Sequence, residues 1–103
     1  MAQQLTIENI KQVITGILID EPVYQAVLFG SYAKGEANSE SDIDLMIDSH
    51  GELRGLKFFG VLEKITMSLN KKVDLIEFCE IERGSKIEKT ICKEGIILYD
   101  TKN

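Results

Sequence analysis

Residues 29–48 read F-G-S-Y-A-K-G-E-A-N-S-E-S-D-I-D-L-M-I-D. The stretch begins where one apolar run ends at Phe29, crosses a loop of small residues, and enters a second apolar run carrying Asp42 and Asp44 on either side of Ile43. In a strand, residues i and i+2 point to one face, about 6.5 Å apart along the chain. Aspartate is disfavoured inside strands, so two on one face call for a reason beyond a solvent-facing edge. Two carboxylates so placed can converge on divalent cations, which in two-metal sites sit about 3.5–4 Å apart. The loop before them, from Gly30 and Ser31 to Gly35, brings backbone N–H groups and a hydroxyl to the same end of the strand. Amides in a glycine-containing turn that opens into a helical turn suit phosphate oxygens. Together these parts describe a metal–triphosphate site. A calcium loop is excluded, because no glycine sits mid-loop and no glutamate closes a twelve-residue loop.

On either side of this stretch the periodicity alternates between helix and strand. Residues 6–18 space Ile7, Ile10, Val13, Ile14, Ile17 and Leu18 as one helical face, with Gln3, Glu8, Lys11 and Gln12 as the solvated face, and Asp20-Glu21-Pro22 ends the helix. Residues 23–29, V-Y-Q-A-V-L-F, read as a strand buried on both faces and stopped by Gly30. Residues 42–48 form the second strand, with Ile43, Leu45 and Ile47 on one face and Asp42, Asp44, Met46 and Asp48 on the other. A helix follows over 51–69 with Phe58, Leu62, Ile65 and Leu69 inward, and Gly55 and Gly60 permit close packing against the sheet. His50, in the turn before it, has no partnered base or nucleophile and reads as a loop residue. Residues 73–78 make a third strand with Asp74 and Ile76 on one face, Glu77 facing opposite to Asp74. A helix over 80–94 stopped by Gly95, a strand over 96–99 and a tail from Thr101 complete the chain. The order predicts an α/β fold, a small mixed sheet flanked by helices.

A length of 103 residues fits one domain, 1–103, with a single modest core. A net charge of −5, without any run of lysine and arginine, argues against a direct nucleic-acid-binding surface. Cys79 and Cys92 have neither disulfide-framework nor metal-ligand spacing and read as buried free thiols in a reducing cytosol. With no signal pattern and no membrane-spanning apolar run, the expectation is a soluble, cytoplasmic protein.

The pattern G-S-x-A-x-G-x(5)-S-D-x-D-L, carried by Gly30, Ser31, Ala33, Gly35, Ser41, Asp42, Asp44 and Leu45, fixes eight positions in sixteen. It resembles the minimal nucleotidyltransferases of the DNA polymerase beta superfamily, and Lys72-Val73-Asp74-Leu75-Ile76 supplies their third acidic position. The resemblance covers essentially the whole chain and implies the polymerase-beta-like nucleotidyltransferase fold. It implies that Asp42, Asp44 and Asp74 are catalytic and hold two magnesium ions, with Asp74 accepting the proton of the attacking hydroxyl. Gly30 then lets the backbone approach the phosphates of ATP, and Ser31 hydrogen-bonds them. Lys34 stands where many members carry arginine, either lending charge to the triphosphate or as a solvated surface lysine. Ser41 completes the nucleotide-binding loop by fixing the strand entry.

What accepts the nucleotide is read from what the chain lacks. Larger members carry added domains that grip an acceptor, and these 103 residues leave nothing over for one. Small members are paired with a HEPN-domain ribonuclease toxin, and the resemblance implies an antitoxin that transfers AMP to a tyrosine of that partner. Two alternatives stay open: a non-catalytic antitoxin that neutralises by binding, and a transferase for a small molecule such as an antibiotic.

Overall fold

In the computed structural model, residues 5–101 are described, and their elements run α1 Ile7–Leu18, β1 Gln25–Phe29, α2 Ser31–Lys34, β2 Ile43–Asp48, α3 Leu56–Leu69, β3 Val73–Glu77, a 3-10 turn Phe78–Glu80, α4 Lys86–Glu94 and β4 Ile96–Asp100. Gln3, expected on the solvated face of the first helix, lies outside the described residues. Helix α1 starts where Thr6 caps it: the Asn9 amide donates to Thr6 Oγ1 at 3.0 Å and the Thr6 amide donates to Asn9 Oδ1 at 3.3 Å. Two orphan donors are thereby satisfied by one reciprocal pair.

The four strands form one sheet in the order β3-β2-β1-β4. β1 runs antiparallel to both β2 and β4, whereas β2 and β3 are parallel. Parallel neighbours need a crossover, and α3 supplies it. One sheet face, with Ala26, Leu28, Ile43, Leu45, Ile47, Val73 and Leu75 all buried, packs with Ile10, Ile14 and Leu18 of α1 and Val61, Ile65 and Leu69 of α3 in one hydrophobic cluster. The alternate positions of β2 and β3 carry Asp44, Met46 and Asp74 on the other face, as period-two geometry requires.

Several boundaries and burials differ from the sequence reading. β1 starts at Gln25 instead of 23, and β2 at Ile43, so Asp42 stands just before its strand. α3 begins at Leu56, because Gly51 and Gly55 take positive φ of 78° and 58° and the intervening segment is a loop. Its inward face centres on Val61, with Phe58 and Leu62 only partly buried. Gly60 lies on the outer side, and a Cβ there would meet nothing within 4 Å, so it does not serve close packing. The last helix is shorter than expected: β3 ends at Glu77, the 3-10 turn follows, and α4 starts at Lys86 behind a Ser85 cap whose Oγ accepts from the Glu88 amide at 3.2 Å. Thr101 is not a free tail, since its amide donates to the Tyr24 carbonyl at 3.0 Å. Both cysteines are exposed, Cys79 on the 3-10 turn and Cys92 on α4, which corrects the expectation of buried thiols.

Gly95 does end α4, but with extended backbone (φ −67°, ψ 143°). Its reason is space: a Cβ would lie 2.4 Å from the Ile91 carbonyl oxygen and 2.6 Å from Val27 Cγ1. The glycine lets the chain turn back onto β1 as β4.

Candidate active site

Phe29 at the end of β1 pairs with Asp44 of β2, and Asp44 in turn lies opposite Asp74 of β3. Both aspartates therefore project from adjacent strands at one register. The fold raises the pKa of Asp44 above the usual carboxylate range, first through burial, then through the charge of Asp74 and a hydrogen bond shared with it, and last through the charge of Asp42. Asp44 and Asp74 thus form a close carboxyl pair, Asp44 half-buried and Asp74 exposed.

Gly30 abuts this pair. Its φ of 78° and ψ of −154° are open to glycine and costly for any other residue. A Cβ here would sit 2.2 Å from Asp44 Oδ2, so the backbone passes the carboxylate at a distance that no side chain allows. Ser31 then opens α2, a single helical turn closed by Gly35 in the left-handed conformation (φ 74°). The turn is anchored by Tyr32, which is buried, and Ala33 packs against the core.

The remaining predicted site residues stand further out. Asp42 is partly exposed and its Oδ2 faces Lys72 Nζ at 3.9 Å. Ser41 Oγ accepts from the Asn38 amide at 2.9 Å, which ties the loop together one residue before Asp42. Lys34 pairs with Glu94 of α4 at 3.4 Å. Among the described residues no three His, Cys, Asp or Glu side chains stand close enough to hold an ion as they are. The donor chemistry nevertheless fits a hard cation such as magnesium: Asp44 and Asp74 are oxygen donors held in an excess of negative charge, with the Gly30 backbone close against Asp44.

One buried carboxylate went unassigned by sequence reasoning. Glu77 is 5% exposed on the core face of β3. Its carboxylate accepts from the Ser49 amide at 3.3 and 3.2 Å, from the Ser49 hydroxyl, and from the Cys79 amide at 3.4 Å. Ser49 Oγ accepts in turn from the Leu53 amide at 3.0 Å. The signal was present in V-D-L-I-E, where the alternation that turns Asp74 out turns Glu77 in. A buried charge so placed needs donors.

Residues 8–103 match the family described as polymerase beta, nucleotidyltransferase. The protein adenylyltransferase MntA of Thermococcus cleftensis is 32% identical over 96 residues, which are 89% of this chain and 95% of that protein. Among solved structures, a toxin–antitoxin complex with AMP-PNP superposes with a TM-score of 0.73 at 24% identity, over 89% of this chain and 74% of that one. A complex of the tri-AMPylated HEPN toxin of Shewanella oneidensis with an MNT antitoxin gives 0.68 at 21% identity, over 93% and 74%. At such identities the structural likeness speaks to the fold.

Proposed function

The chain belongs to the polymerase beta nucleotidyltransferase family, and from that premise we propose that it is an adenylyltransferase antitoxin, moving AMP from ATP to a tyrosine hydroxyl of a HEPN-domain ribonuclease. The observation that carries this reading is the Asp44–Asp74 carboxyl pair set against Gly30. The likeness to an MntA adenylyltransferase over nearly the full length of both chains supports the protein acceptor.

Asp44 and Asp74 would hold magnesium, with Asp42 at the margin of the pair. The ions, when bound, supply positive charge against the triphosphate. The backbone at Gly30 and the first amides and hydroxyl of α2 would meet the phosphates, beside Asp44, whose carboxylate leaves no room for a Cβ at Gly30. Asp74, the exposed member of the pair, accepts the proton as the acceptor oxygen bonds to the α-phosphorus and the bond to the β-phosphate oxygen breaks. Pyrophosphate leaves. Lys34 and Ser41 act at one remove, through Glu94 and the loop. The whole of 1–103 works as one domain in this account, in the cytoplasm; no helix among the described residues is long and apolar enough to cross a membrane.

A second reading, neutralisation by binding alone, is favoured by one observation: Asp42 Oδ2 faces Lys72 Nζ at 3.9 Å, and among the described residues no three carboxylates converge to hold an ion. Labelled ATP separates the two. Label in the α-phosphate is expected to appear on the ribonuclease, and label in the γ-phosphate is not. A complex that acquires neither label would refute the transferase reading.

A further inference from the structure

A cavity of about 620 Å³ opens at the C-terminal ends of β2 and β3, between the loop after β2 and the 3-10 turn. Asp44 and Asp74 lie near the opposite ends of the same strands. The volume is in the range of ligand-binding pockets, roughly 300–1,000 Å³. Its floor is apolar, made by Leu53, Phe58, Leu75 and Ile76. Its walls are preformed: the Ser49–Glu77 hydrogen bonds clamp the loop to β3, and His50, Gly51 and Gly55 hold positive φ.

Arg54 also lines the cavity. Among the described residues its guanidinium has no ion pair and no hydrogen bond, though its charge reaches the Cys79 thiol. Two carboxylates line the cavity with it, Glu77, held by the Ser49 and Cys79 amides, and Glu80; Arg54, the one Lys or Arg in the lining and without an ion pair, is the group open to a partner's carboxylate. The apolar surface continues past the mouth. Leu56, next to Gly55, is 90% exposed; Phe78, next to Cys79, is 46% exposed; and Phe59, also exposed, meets Phe58 edge-on. A small molecule filling the cavity would leave this rim in water, whereas a protein segment covers both.

We propose that this cavity anchors the protein substrate: a partner segment inserts an apolar side chain and sets a neighbouring carboxylate on Arg54. The inference rests on the reading above that the acceptor hydroxyl belongs to a protein. β3 is an edge strand, and Glu77 beside the cavity lies three residues, about 10 Å, along it from Asp74. A partner anchored at one end of β3 therefore lies along the open edge and presents its hydroxyl at the other.

Cysteine footprinting tests this directly. Cys79 lines the cavity and is exposed; Cys92 is exposed on α4, which packs on β1, and serves as the internal control. Both are alkylated with N-ethylmaleimide, with and without the HEPN-domain ribonuclease, and complex formation is followed by native mass spectrometry. Cys79 is expected to react at least about tenfold more slowly in the complex while Cys92 keeps its rate, and Arg54→Glu is expected to weaken the complex by roughly tenfold. A complex that forms with Cys79 reacting at its free rate overturns the anchor site and leaves the transferase reading standing. A ribonuclease that forms no complex overturns the anchor site, and one that also gains no adenylyl group with ATP and magnesium overturns both. Protection of Cys79 with full affinity in Arg54→Glu overturns the carboxylate recognition.

Discussion

Asp44, which lies against Gly30 and pairs with Asp74, is held under electrostatic stress. Burial and the charges of Asp74 and Asp42 raise its pKa above the ordinary value. For a carboxyl raised by folding, the stabilising form is the neutral one. Its contribution is greatest in acid, below the unfolded pKa, and is lost as pH rises through the folded pKa. Near neutral pH the ionised group costs stability unless a cation compensates it. Asp44→Asn should therefore melt a few degrees higher than the parent near neutral pH without divalent ions, and the gap should close in acid. Magnesium should raise the melting temperature of the parent and leave the variant unmoved. Thermal scans at two pH values decide it, and equal melting temperatures throughout would contradict the stress assigned to this pair. At this scale the sequence was highly legible for Asp44 and Asp74, because strand alternation and the glycine before them constrain where they go. Asp42 was less so. It precedes its strand by one residue, and the Lys72 beside it comes from a distant part of the chain.

Among the elements, β3 does two jobs with one alternation: Asp74 faces the site and Glu77 faces the core. Glu77 ties the end of β2 to the 3-10 turn through Ser49 and Cys79. Removing it strands buried donors, so Glu77→Ala should lose about 2–4 kcal/mol in denaturant unfolding, by the cost of lost bonds to a charged group and of unpaired N–H groups. Glu77→Gln, which keeps acceptor capacity, should lose less; equal losses would show that the clamp is packing alone. Element identities were readable from periodicity, and every expected strand and helix is present. Their ends were less readable, since glycines with positive φ at 51 and 55 break a helical pattern that the apolar spacing alone carries through. The same limit explains the cysteines: apolar chemistry pointed inward, but a 3-10 turn and an outer helix face put both in water.

The whole molecule is a four-stranded sheet with α1 and α3 over one face and the acid pair on the other, next to the edge strand. That placement, with Asp74 exposed on the edge strand, leaves it open to an acceptor as large as a protein. Its sheet order was not legible from sequence, because pairing depends on contacts between distant segments. The central claim is transfer of AMP to a partner protein, and intact-mass analysis of the HEPN-domain ribonuclease after incubation with this protein, ATP and magnesium tests it most directly. The account predicts a gain in whole adenylyl steps that is absent with Asp44→Asn. A ribonuclease of unchanged mass, bound in a stable complex, would contradict it.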